Sequence, residues 1–127
     1  MNFRQSWEAI INYLTDNLPA DITVEAAQPG ELPQKAPIVW VYLEPSSAIF
    51  YENSYRDGKQ ANFQIFTGTK IKAKPYLAIC DSLDLMNSVI DLLSDLPYIQ
   101  LNQEPLTFDG IYSDKAFFVL EGKIYYD

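Results

Sequence analysis

A chain of 127 residues with 17 Asp and Glu against nine Lys and Arg, and no histidine, has a formal net charge of −8. That balance argues against a nucleic-acid groove or an anionic-membrane surface, since both need clustered cations. Being 48% hydrophobic and 14% aromatic, it is too rich in core-forming residues for a disordered chain.

The length is that of one domain, residues 1–127. A single cysteine allows no internal disulfide. Met1 to Gln5 open straight into an amphipathic pattern, and no apolar run reaches membrane-spanning length. The expectation is a soluble protein made in the cytoplasm, with no membrane partner.

Phe3, Trp7, Ile10, Ile11, Leu14 and Leu18 form one stripe, with Gln5, Glu8, Asn12 and Asp16 opposite. This predicts a first helix over Phe3 to Leu18, ended by Pro19, with Trp7 between helix and core. Ile22, Val24 and Ala26 alternate with Thr23 and Glu25 and predict a short strand. Ala27 to Pro37 holds three prolines and a glycine and reads as a loop.

Ile38 to Leu43 is apolar on both faces, as in a central strand or one covered by a partner. Strands at Ala48 to Glu52 and Gln60 to Thr67 flank Asn53 to Lys59, where Asp57-Gly58 signals a hairpin turn. Ala61, Phe63, Ile65 and Thr67 alternate with wetter Asn62 and Gln64.

Lys74 to Pro97 predicts a long helix with Pro75 in its first turn. Ile79, Leu83, Met86, Ile90 and Leu93 make its stripe, widened by Ala78, Leu85, Val89, Leu92 and Leu96. The remaining strip reads Asp81, Asp84, Ser88, Asp91, Asp95, with no cation after Lys74. Such a helix is covered on two sides and keeps a third, acidic edge.

Beyond Pro97 the pattern gives a strand at Tyr98 to Leu101, a turn at Asn102 to Pro105 and a strand at Leu106 to Tyr112. After a turn at Ser113-Asp114, Ala116 to Tyr126 makes a closing strand in which Gly122 marks a bulge. The class is α+β: two amphipathic helices packed on one mainly antiparallel β-sheet, in the order α-β-β-β-α-β-β.

Catalysis finds little to use. Histidine is absent, Cys80 lies on an apolar flank where inert packing is expected, and there is no phosphate-cradling loop or nucleophile elbow. Four carboxylates on one helical line spread over several turns, whereas hard cations need ligands that converge. No catalytic residue, cofactor or metal is expected, and the protein reads as a non-enzyme. Asp81, Asp84, Asp91 and Asp95 are either a solvated face or an interaction or pore surface. The many aromatics, Trp40, Tyr42, Phe50, Tyr51, Tyr55, Phe63 and Phe66 among them, suit either a thick core or subunit contact.

The leading helix, the Pro-rich approach into Ala36-Pro-Ile-Val-Trp-Val-Tyr-Leu43 and the charged hairpin Tyr55-Arg-Asp-Gly-Lys59 form a recognisable layout. With Ala61 to Phe66, the long helix and the closing strand Phe117 to Tyr126, it resembles the phage tail terminator (tail completion) proteins, including minor tail proteins of Mu-like prophages. The resemblance is one of layout and covers nearly the whole chain. It implies a homo-oligomeric, hexameric ring that caps the tail tube and joins it to head or neck, first in the host cytoplasm and then in the virion tail. DNA would pass through without specific binding, which an acidic lining suits. Subunit contact would then fall on Trp40 and Tyr42, on Tyr55, Arg56, Asp57 and Lys59 of the hairpin, and on the Leu85/Leu92 flank. The alternative is an acidic protein-binding module or inhibitor that presents carboxylates to a basic partner such as a nuclease. A third class, an enzyme using carboxylates alone, requires acids from different elements to meet in a pocket.

Overall fold

Asn2 starts the first helix through a reciprocal cap. Its side chain accepts from the Gln5 N–H at 2.9 Å while the Gln5 side chain accepts from the Asn2 N–H at 3.0 Å. The computed structural model describes residues 2–27, 35–43, 49–53 and 56–126, without the side chains of 43, 49–53, 56–59 and 103–105. Helix α1 (Phe3–Asn17) buries Ser6, Ile10 and Leu14. Trp7 is half-buried at the margin, stacked on Phe3 at 6.3 Å, so it flanks the core instead of filling it.

Four strands, where the expected order has three, separate the two helices: β1 (Thr23–Ala26), β2 (Ile38–Leu43), β3 (Ile49–Asn53) and β4 (Arg56–Lys70). Helix α2 (Pro75–Leu93) follows, then β5 (Ile99–Tyr112) and β6 (Lys115–Tyr126). The fold is α+β with one mixed six-stranded sheet, ordered β1-β2-β4-β6-β5, and β3 also pairs with β4. Among the described residues only the β1/β2 pair is parallel, and the other four pairings are antiparallel.

Strand β4 is the axis. Along one edge it pairs with β6 from Lys59 to Lys70. Its other edge is shared, β2 taking Phe63 to Gly68 and β3 taking Arg56 to Gln60. Asp57 and Gly58 pair with Glu52 and Tyr51, so the expected turn residues are strand residues, and the Asn53–Arg56 pair leaves only 54–55 between the strands. The turn expected at Asn102 to Pro105 is likewise absent. Strand β5 runs through it, with a register shift between Leu101 and Leu106. Gly122 is not itself the bulge but stands opposite Leu101, where that shift begins.

Both helices cover the same face of the sheet. Ile10 and Leu14 of α1 and Met86, Val89 and Leu93 of α2 share one cluster with Val39, Val41, Phe63, Ile65, Phe118, Leu120 and Ile124. Each such side chain, fully buried, stabilises the fold by roughly 1.5–3 kcal/mol before the cost of ordering it. Strand periodicity explains the set, since β2 and β4 send alternate residues to this side.

Helix α2 is turned relative to the stripe of largest side chains. Its buried residues are Ala78, Ser82, Leu85, Met86, Val89 and Leu93, while Ile79, Leu83 and Ile90 are half-buried. The cause lies in β4. The Thr67 hydroxyl donates to the Ser82 carbonyl at 3.0 Å, and the Ser82 hydroxyl donates to the Thr67 carbonyl at 2.8 Å. Thr69 donates to the Ala78 carbonyl one turn earlier. Small residues at 78 and 82 let the helix approach β4, and the hydroxyls satisfy each other inside the core. Cys80 is exposed as a result, which corrects the expectation of a buried thiol. No described helix is long and apolar enough to cross a membrane.

Candidate functional site

The rotation of α2 decides where its acidic strip goes. Asp81, Asp84 and Asp91, with Ser88, Leu85 and Leu92, form one wall of a groove of about 730 Å³. The lining continues on the end of α1 and the turn after it, including Leu18, Asp21 and Ile22. Ala36 and Pro37, just before β2, lie along it too, and the exit of β4 closes one end with Thr69, Lys70 and Lys72. Acids from two separate parts of the chain therefore line one cavity, Asp21 together with the α2 carboxylates.

The fourth strip residue departs from the line. Asp95 lies beyond α2 and accepts a long hydrogen bond, 3.5 Å, from the Tyr13 hydroxyl of α1. Among the described residues Asp21, Asp81, Asp84 and Asp91 have no ion-pair partner. Lys70 does: its Nζ lies 3.8 Å from Asp114 in the β5–β6 turn, and Lys115 holds the other oxygen of that carboxylate at 2.8 Å. The Lys115 hydrogen bond lowers the Asp114 pKa below its ordinary value. The groove carboxylates are spread along the helix, and no three acidic, Cys or His side chains among the described residues group closely enough to hold one ion.

The expected contact residues fall into three places. Leu85 is 8% exposed and belongs to the helix-side core, so the chain itself closes most of that flank, while Leu92 is half-buried and lines the groove. Trp40 and Tyr42 are half-buried on the opposite face of the sheet, where cross-strand pairing sets Trp40 beside Phe66 and Phe66 beside Val119. On that face Ile38 pairs with Gly68, and Gly68 with Phe117. A Cβ at Gly68 would meet the Phe117 ring at 2.5 Å, so the ring occupies the space a side chain would take. Among the described residues neither helix packs there. Arg56 and Asp57 pair with β3 beyond the end of β6, and Lys59 faces Tyr126 at its last rung. Tyr55 lies outside the described residues.

Sequence patterning passed over Asp21, Lys70 and Lys72 as groove residues, because they come from separate elements that only the fold brings together. Ser82 carries a signal: Ala78 and Ser82 are small residues four apart, in line with the large apolar residues of the helix. In comparisons with known proteins, no family model matches the chain and no curated protein matches its sequence.

Proposed function

We propose that the chain is a structural subunit that works as a homo-oligomer, of the kind phage tail terminators form. Its task would be to cap a tail tube as a hexameric ring, join it to neck or head, and let DNA through without binding it. The observation that carries this is the sheet face opposite the helices. Trp40, Tyr42 and Phe66 lie there only half-buried, side by side across β2 and β4. Aromatics so placed are what protein interfaces select, whereas a free monomer usually keeps such patches small.

Two further features fit. The β3–β4 ladder runs past the end of β6, which gives a projecting element for head-to-tail contact with a neighbour, the contact type that closes rings. The net charge of −8 offers DNA phosphates no attraction. The test is deletion of the gene from its phage or prophage, followed by electron microscopy of the particles. Tails of irregular length that fail to join heads are expected; normal, joined tails would overturn the proposal.

A further inference from the structure

We infer that the groove between α2 and the turn after α1 receives an extended segment of a partner protein, one that combines Lys or Arg residues with an apolar side chain. This stands whether or not the chain forms rings, because it concerns the helix side of the sheet.

Length comes first. From Asp81 to Leu92 the groove follows eleven steps of α2, or about 16 Å at about 1.5 Å per residue. An extended chain rises about 3.3 Å per residue, so roughly five residues span it. The apolar part of the lining then fixes a second feature of the ligand. Leu92 and Ile22 are half-buried there beside well-buried Leu85 and Leu18, and only an apolar side chain gains by covering them.

The exposed carboxylates fix its charge. Asp84 and Asp91 stand two helical turns apart on α2, and Asp21 lines the same groove, none of them paired among the described residues. Cations at two positions of the segment would meet them. Lys70 and Lys72 at the β4 end leave the groove acidic along α2 and basic at one end, a gradient that orients the segment. Lys70 is already engaged by Asp114, so the basic end competes weakly. A single metal ion is a poor match, since the carboxylates do not converge. A nucleic acid would be repelled by these carboxylates, and a bare polyamine would leave Leu92 and Ile22 uncovered.

A selection from displayed random nine-residue peptides against the intact protein tests this. Enriched peptides are expected to combine two or more Lys or Arg residues with a Leu, Ile, Val, Met or Phe. A synthetic copy of an enriched peptide should lose roughly tenfold in affinity with Asp84→Asn/Asp91→Asn, and its binding should weaken as salt is raised. Leu92→Ser should weaken it also, while Asp16→Asn on the far side of α1 should not. Unchanged melting of each variant separates lost contact from lost fold. No enrichment, enriched peptides without cations, or binding indifferent to the double variant would each overturn the proposal. Equal binding of spermine and of the peptide, with Leu92→Ser silent, would reduce the groove to a polycation surface and overturn the apolar half.

Discussion

Thr67 and Ser82 hold each other's backbones. Each hydroxyl donates to the other residue's carbonyl, at 3.0 and 2.8 Å, and both residues are fully buried. The clamp fixes the rotation of α2 on β4, and that rotation turns Asp81, Asp84 and Asp91 towards the groove. Ser82→Ala leaves the Thr67 carbonyl without this partner and should cost about 1–3 kcal/mol. In a double-mutant cycle with Thr67→Val the two changes should couple by about 0.5–3 kcal/mol. Denaturant titration of the four proteins measures this, and strict additivity would mean the hydroxyls act independently.

Gly122 is a second fixed point. A Cβ there would lie 2.7 Å from the Gln100 carbonyl oxygen and 2.7 Å from the buried Phe63 ring. The carbonyl is backbone and the ring is locked in the core, so neither yields cheaply. Gly122→Ala should destabilise the protein by about 1–3 kcal/mol, as overpacking does. Thermal melting would show it; an unchanged midpoint would mean that β5 shifts freely past β6.

The end of α2 carries a smaller, opposite effect. Asp91 in the last turn of α2 and Asp95 just beyond its end sit at the negative end of the helix dipole with no cation in the last turn, and anions so placed destabilise a helix by roughly 0.3–1 kcal/mol. The Tyr13 bond to Asp95 is too long to offset much. Asp91→Asn/Asp95→Asn should therefore raise stability slightly at low salt, with the gain fading at high salt. A loss of stability would show that the carboxylates have partners that hold them.

The β5–β6 turn sets a pH dependence. Asp114 titrates below its ordinary value, chiefly through the hydrogen bond from Lys115 and with help from Lys70. A carboxyl depressed in the folded state contributes stability that is present above its unfolded pKa and lost as pH falls through the folded one. Asp114→Asn should therefore be slightly less stable than wild type at neutral pH and flatten the acid limb of the stability–pH curve below the ordinary 3.8, so that the two proteins converge in acid. Parallel acid limbs for the two proteins would contradict this.

What the sequence made legible follows from how strongly each segment's period spoke. Helix α1 is readable because its apolar residues recur cleanly, β2 and β6 because each holds a continuous apolar run, and Pro75 marks the start of α2. The facing of α2 is not. Hydrophobicity counts Ser82 as polar, and only the Thr67 hydroxyl makes it a core residue. Asp57-Gly58 has turn chemistry, yet β3 pairs across it, and Asn102 to Pro105 is spanned by a strand that β6 keeps in place. The acidic strip was visible as a line. Its groove was not, because Asp21 and Lys72 reach it from distant parts of the chain.

The most direct measurement of the proposed function is length control of tail tubes in vitro. Purified tube protein polymerises with and without this chain present, and electron microscopy records tube lengths and tube ends. The account predicts that the protein halts elongation and adds a symmetric ring at the tube end. Trp40→Gln, checked by melting for an intact fold, should lose both effects, because Trp40 lies on the half-buried aromatic face. Tubes that elongate equally with and without the wild-type protein, and bear nothing at their ends, would contradict it.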